Sequence, residues 1–438
     1  MSRSVYRAPF HRQIIPWIFA AIFFATAPVL IFYTSGYRLN TKKTVIERNG
    51  TLIVDSTPRG ARVYIDDTFT EKYTPVTFQN MAPGDHTIRL ERDTYHPWEK
   101  RLNVRPEQVT FANTVWLWRD VEPQLVLSNP VTALTSSAQR GLLGIASTFD
   151  AITTFSTWSP RTGASSPVVL SGSASGSHEL LRWSEDGKTI LVGGEDTQAL
   201  TWWSRTDITP LQTNPLPAGL YFWNGNNLHR AADDAVYEVN PQTGSLVRTP
   251  LTTDTVDQSD TFALQKATGT SVLLLHEFNF DQRRLSLPEG DWRLAALKND
   301  YALLKNGFQW LSFKLASPTP SSNQTRGGWP DWLTSASQPT AILLNENEVI
   351  FWRLDQAPET LWRQSDFVVR ATWHRSGLSV FVASKTNVFA FELDSRGGHQ
   401  ITNLGSFDHI YDLSVDQGVL YVAADKNGKH GLWQITLE

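Results

Sequence analysis

Ten histidines are scattered along the 438 residues, and no two stand in an H-x-x-x-H spacing. There is no cysteine, which excludes disulfides, thiolate zinc sites, iron–sulfur clusters, cysteine nucleophiles and anchoring through a lipidated cysteine. Gly172-Ser173-Ala174-Ser175-Gly176 has the outline of a nucleophile elbow, but Ala174 stands where the serine belongs and no strand-to-helix context surrounds it. Asp425-Lys426-Asn427-Gly428 lacks the further acidic ligands of a calcium loop and reads as a hairpin turn on its Asn-Gly pair. Paired acids such as Asp233-Asp234 could serve hydrolysis, yet that chemistry depends on a spatial separation that spacing along a chain does not give. No phosphate-binding loop or dinucleotide fingerprint occurs. Asn49-Gly50-Thr51 and Asn323-Gln324-Thr325 fit the glycosylation sequon, which is too short to inform. No catalytic, cofactor-binding or metal-ligating residue is therefore assigned, and no cofactor is expected.

The elements that would position any such residue are those of a folded chain, with 41% hydrophobic and 19% charged residues and a length that suggests two or three units. Seventeen tryptophans point to many packed strands, because large rings suit broad β-surfaces. Seven basic residues against Glu47 give residues 1–48 a charge of +6, leaving −10 for the rest of a chain whose total is −4. That mildly acidic body argues against nucleic acid as a partner, since phosphate binding needs a concentrated basic face.

Between Arg12 and Arg38 lie 25 residues without a charge. At a rise of about 1.5 Å per residue such a run crosses a hydrocarbon core of about 30 Å. Trp17, Tyr33 and Tyr37 sit where interfacial anchors belong. Pro16 lies near the start, and Pro28 would kink the helix. The competing reading, a signal peptide cut after Ala25-Thr26-Ala27, fits poorly, because Pro28 follows the cut and the apolar run continues. The expectation is a short basic tail (1–12), a transmembrane helix (13–37) and a stalk (38–49). Three basic residues precede the span and four follow it, so charge counting leaves orientation open. The preferred arrangement keeps the tail inside and exports the body.

Residues 50–118 switch to short runs of β-formers: Leu52-Ile53-Val54, 62–65, 74–78, 86–90, 101–104 and 109–117. Pro58-Arg59-Gly60, Asp66-Asp67 and Ala82-Pro83-Gly84-Asp85 punctuate them as turns. The pattern predicts a six- or seven-stranded antiparallel sandwich. Ser56-Thr57-Pro58-Arg59-Gly60-Ala61-Arg62-Val63-Tyr64-Ile65-Asp66-Asp67 resembles the opening of a PEGA domain, and Tyr73-Thr74-Pro75, Pro83–Ile88 and Tyr95-His96-Pro97-Trp98-Glu99 follow in the family's order. Arg59 replaces the Glu of the namesake tetrapeptide, and Thr94 stands where a Gly often precedes the aromatic; neither is a turn-forming Pro or Gly. The resemblance implies a small surface or envelope sandwich without a catalytic set. Tyr95–Trp98 reads as a turn and a core aromatic before it reads as a ligand platform.

Residues 120–438 carry short alternating runs with turn signals every 8–12 residues. Trp183-Ser184-Glu185-Asp186-Gly187 precedes Lys188–Val192, and Trp373-His374-Arg375-Ser376-Gly377 precedes Leu378–Val382; Leu413–Val422 is a weaker copy. Degenerate copies fall near 131–160, 218–249, 258–287, 290–316 and 340–364. The turn at 183–187 resembles the repeats of TolB-type and WD40-like propellers. The fold class expected is thus mainly β: N-terminal transmembrane helix, PEGA-like sandwich, then a β-propeller of about seven blades. Pro123–Leu127 is a candidate for closing the last blade. The function that follows is membrane-anchored, extracytoplasmic binding or scaffolding in a cell envelope, with a protein or polysaccharide partner and no nucleic acid. The alternative is an envelope hydrolase with carboxylates gathered at the propeller channel. A sensor is disfavoured by the 12-residue tail.

Overall fold

The computed structural model describes residues 10–34, 37–40, 45–137, 141–149, 152–168, 180–193, 201–206, 209–210, 216, 220–231, 236–240, 245–248, 261–267, 270–276, 282–290, 292–298, 301–314, 322–333 and 337–438. The chain divides into two compact units. One holds Met1–Trp118 together with Asp394–Gln400, and the other holds Arg119–Leu393 and Ile401–Glu438.

The first unit begins with helix α1, Phe10–Thr34, which contains Pro16 and Pro28. It starts and ends three residues earlier than expected, because Tyr37 already belongs to a strand. Its side chains, described from Ile15 to Ile31, are almost all exposed although most are apolar. Among the described residues no helix is long and apolar enough to cross a membrane. In the region expected as a stalk, Tyr37–Asn40 pairs antiparallel with Val45–Arg48, and Arg38 stands opposite Glu47.

A seven-stranded sandwich follows. Gly50–Thr57 is the central strand of one sheet, between Val76–Met81 and Val109–Trp116. The second sheet runs Thr68–Tyr73, Arg62–Ile65, Gly84–Glu91, Trp98–Val104. One pairing corrects the antiparallel expectation: Gly50–Thr57 lies parallel to Val109–Trp116. The edge strand Thr68–Tyr73 was not signalled by hydrophobic pattern, since its side chains are nearly all exposed and Glu71 has a positive φ of 57°. Inward-facing residues of both sheets, among them Leu52, Val54, Val63, Ile88, Leu90, Trp98 and Leu102, form one core. Burying such a side chain contributes roughly 1.5–3 kcal/mol. Trp98 is part of that core.

Among the described residues the second unit contains seven four-stranded antiparallel sheets, at 133–168, 180–210, 220–248, 293–326, 331–363, 368–406 and 409–436, the last completed by Gln124–Leu127. They are numbered here as blades 1 to 7. Inner strands of blades 1 and 2, 3 and 4, 5 and 6, 6 and 7, and 7 and 1 are neighbours. Blades 2 and 3 share a core around Leu191, Tyr221 and Leu228, and blades 4 and 5 share one around Leu303, Trp310, Leu343 and Trp352. The ring is therefore closed, in the arrangement of a β-propeller. Gln124–Leu127 pairs with Lys429–Thr436, so an early strand completes the last blade and seals the ring non-covalently. The segment counted at 258–287 as a degenerate blade is a three-stranded sheet, Thr261–Ala267, Thr270–His276 and Gln282–Ser286. The inner strands of blades 3 and 4 meet directly, which leaves that sheet as an insertion and not a member of the ring.

Candidate functional site

The strand–turn–strand unit read from Trp183–Val192 and Trp373–Val382 has the same backbone in both copies. Ser184 N donates to Thr189 O and Gly187 N to Ser184 O; His374 N donates to Ser379 O and Gly377 N to His374 O. The tryptophan that opens each unit does a second job. Trp183 Nε1 donates to Thr135 O at 3.4 Å, Trp223 Nε1 to Arg182 O at 3.3 Å, and Trp373 Nε1 to Asp331 O at 2.9 Å. Each bond runs from one blade to the inner strand of the blade before it. The abundance of Trp thus has a physical basis: an apolar ring fills the gap between sheets while its N–H satisfies a neighbouring carbonyl.

At the inner strands of blades 5, 6 and 7 the structure gathers charges that have no proximity in sequence. Arg370 Nε lies 3.4 Å from Asp412 Oδ1, and its side chain keeps 45% exposure. Asp412 Oδ2 accepts a 2.7 Å bond from Leu134 N of blade 1, and its Oδ1 one from Leu413 N. Burial pushes the Asp331 carboxyl above its usual range, against the opposing pull of Arg370 and of the Thr372 hydroxyl. Asp412 first, and Asp331 as a smaller contribution, hold the Arg370 guanidinium more firmly protonated against a partial desolvation that works the other way. Both Arg370 and Asp412 follow a bulge, after Val368 and after Ile410, and blade 4 carries a bulge after Leu294. A bulge re-aims the side chain that follows it, here within the inner strand.

A second group lies on blades 2, 4 and 5. The Arg182 guanidinium sits 3.4 Å from the centre of the Trp329 ring, with Lys305 Nζ 5.1 Å from the same ring. Lys298 Nζ is 5.7 Å from Trp332, and burial lowers its pKa although Glu185 opposes the shift. Cations over indole faces are mutually stabilising contacts that need no third component. Among the described residues no group of three or more His, Asp or Glu is arranged to hold a metal ion.

The residues considered for chemistry from sequence are not brought together. Asp425 accepts from Tyr411 Oη at 2.8 Å and lies 2.5 Å from His430 Nδ1, on the blade 7 hairpin expected from Asn427-Gly428. Asn49 donates to Asn80 O, and Asn323 to Leu354 O. Gly172–Gly176 and Asp233-Asp234 lie outside the described residues. Sequence reasoning missed Asp331, Arg370 and Asp412. The signal that could have found them is their spacing of about one repeat, which places one charge at a similar inner position of three successive blades.

In the first unit the motif Ser56–Asp67 is a bracing network. Ser56 Oγ and Thr74 Oγ1 are 2.7 Å apart, and Thr74 Oγ1 accepts from Gly60 N and Ala61 N at 3.1 and 3.0 Å. Gly60 turns the chain at φ +87°. Asp66 and Asp67 both have positive φ, as a two-residue hairpin turn requires. Asp66 Oδ1 accepts from Thr87 N at 2.9 Å, and its Oδ2 lies 2.7 Å from His86 Nδ1. Lys100 occupies an inward position of its strand with 1% of its side chain exposed. Its Nζ donates to Asp394 O at 2.7 Å and lies 3.5 Å from Asp394 Oδ2. Burial raises the Asp394 carboxyl, but hydrogen bonds from Arg396 and the charge of Lys100 outweigh it and hold the group below its usual range. At Gly397 an added Cβ would lie 1.9 Å from Arg101 O, so only glycine fits there.

Among solved structures the chain is similar to Saccharomyces cerevisiae Sqt1, at 11% identity over 73% of this chain and 98% of that one, with a TM-score of 0.44. It is similar in the same degree to the Dos1 propeller, at 10% identity over 72% and 94%, also with a TM-score of 0.44. A search of curated proteins finds no match. Residues 49–115, the strands and bracing turns of the sandwich, match the family described as the PEGA domain.

Proposed function

We propose that this chain is a membrane-anchored scaffold of a cell envelope, with α1 as a single-pass anchor and the propeller as the part that engages a protein partner outside the cytoplasm. The observation that carries this reading is the closed inner belt of blades 5 to 7. Where a propeller hydrolase would hold open carboxylates, Asp412 is engaged by Arg370 and by the backbone of blade 1, and Arg370 is also drawn to Asp331. Such a belt holds blades in register and leaves recognition to the faces of the ring.

The anchor is supported by the uncharged run from Gln13 to Tyr37, which extends beyond the described side chains of α1 at both ends. The 25-residue uncharged run would be about 37 Å long if wholly helical, although the described part of α1 is not by itself long and apolar enough to cross a membrane. Exposed Trp17, Phe19, Phe23, Phe24 and Leu30 would be costly in water and suit lipid.

The test is affinity capture of the full-length chain, solubilised from its own membranes and compared with a version lacking 119–438. A protein retained in fixed ratio by the full chain and lost without the propeller supports the proposal. Recovery of the chain alone, repeatedly and under gentle solubilisation, would sink it.

A further inference from the structure

We propose that the sandwich touches the bilayer that α1 enters, through the outer face of its three-stranded sheet, with Val109 and Phe111 reaching into the headgroup layer. This contact rests on the anchor reading and adds a second lipid surface to it. Val109 is 47% exposed and Phe111 43%. The parallel register sets Thr51 beside Val109 and Ile53 beside Phe111, while the intervening Leu52, Val54 and Ala112 belong to the core. Ile53, Val109 and Phe111 therefore share the outer face, next to the exposed Thr77 across from Ile53. An edge strand such as Val109–Trp116 ordinarily turns polar or charged groups outward.

What covers this face follows from the path of the chain. The uncharged run ends at Tyr37, and Tyr37 is the register partner of Arg48. The chain has thus returned to the end of that run just before the sandwich begins at Gly50. Glu107 N donates to Asn49 O at 3.0 Å, Thr51 N to Gln108 O at 3.0 Å, and the Glu107 carboxylate pairs with Arg48. Three residues of chain and one strand pairing separate Arg48 from Val109, a Cα distance of at most about 16 Å. A lead this short keeps the beginning of both strands at the membrane surface. Apolar side chains held there lose less by entering the interface than by staying in water. Charge does not oppose the contact: Arg48 and Glu107 engage each other, Arg105 is an exposed cation, and Asp55 lies farther along the strand, 3.5 Å from Arg59.

The absence of cysteine lets single labels be placed without other changes. Full-length Val109→Cys, Phe111→Cys and Arg59→Cys, each carrying an environment-sensitive fluorophore, are reconstituted in vesicles of phosphatidylcholine and phosphatidylglycerol. Some of the lipids bear a nitroxide quencher on the headgroup. Exposed Arg59 follows the far end of the 8-residue strand Gly50–Thr57, about 26 Å from its start, and serves as the control. Quenching at 109 and 111 should exceed that at 59 by about threefold or more, and Phe111→Ser should reduce it at 109. The two positions report separately, so a disturbed fold in one variant leaves the other to decide. Equal quenching at all three positions overturns the proposal. So does shielding of 109 and 111 from aqueous iodide without quenching by lipid, which would mean that a protein or a second copy covers the face. If the chain floats with the vesicles but 109 and 111 are not quenched, the anchor stands and this contact falls. If the chain does not float with them, both fall.

Discussion

Acidification should loosen the propeller through two buried histidines, and the size of the effect follows from their surroundings. Burial, then the charge of Arg375, lowers the His374 pKa from 6.5 to about 4. Burial alone takes His229 to about 4 as well. His374 is fully buried, its Nδ1 is 2.7 Å from Ser376 Oγ, and its ring meets Phe381 edge-on. Between pH 6.5 and about 4 the unfolded chain binds protons that these native imidazoles exclude. Stability is therefore present above the unfolded value and falls as the pH drops through that window. Each histidine accounts for about 2 kcal/mol at pH 5 and about 3 kcal/mol once the window is passed. His374→Gln keeps a polar partner for Ser376 and removes the titration. Asp331 and Asp416, whose carboxyls burial raises, shift the opposite way, but they are common to both chains and cancel in the comparison. Urea unfolding followed by tryptophan fluorescence, at about pH 7.5 and about pH 5, should show wild type losing about 2 kcal/mol more than the variant. Equal losses in the two chains would refute the argument.

Further outcomes follow from the charged contacts. Asp394→Ala leaves the Lys100 ammonium buried beside a lost carboxylate and should cost the first unit about 3–5 kcal/mol, with Lys100→Met/Asp394→Ala regaining most of it in a thermal double-mutant cycle. Arg370→Met removes the cation shared by Asp331 and Asp412, but because that side chain is nearly half exposed the loss by urea unfolding should be only about 1 kcal/mol. Asp412→Asn, which keeps an acceptor for Leu134 N, should cost less. Trp373→Phe keeps most of the ring packing but loses the bond to Asp331 O, and a loss of about 1 kcal/mol is expected in the same assay.

Local chemistry was the legible part of this fold. The Trp-x-x-x-Gly turns at 183–187 and 373–377 announced their hairpins because glycine alone takes their positive φ without strain. The turns around Gly60 and Asp66-Asp67 did the same for the sandwich, and Pro123–Leu127 pointed to the closing strand. What was illegible depends on partners far along the chain. Thr68–Tyr73 pairs at an edge and exposes nearly every side chain, so it carries no alternating signal. The parallel pairing of Gly50–Thr57 with Val109–Trp116 is a choice between two apolar strands that pattern does not make. The sheet at 261–286 has the pattern of a blade, and its exclusion shows only in the direct meeting of its neighbours. Asp331, Arg370 and Asp412 are unremarked single charges until the ring closes and sets them side by side.

The central claim, a tethered propeller that works by holding a partner, is tested most directly by photo-crosslinking in intact cells from the exposed positions 355, 367 and 411, on blades 5, 6 and 7 of the full-length chain. The account predicts a discrete protein adduct from at least one of these positions, recovered with the membrane fraction. Absence of any adduct at all three positions, or recovery of the chain away from membranes, would contradict it.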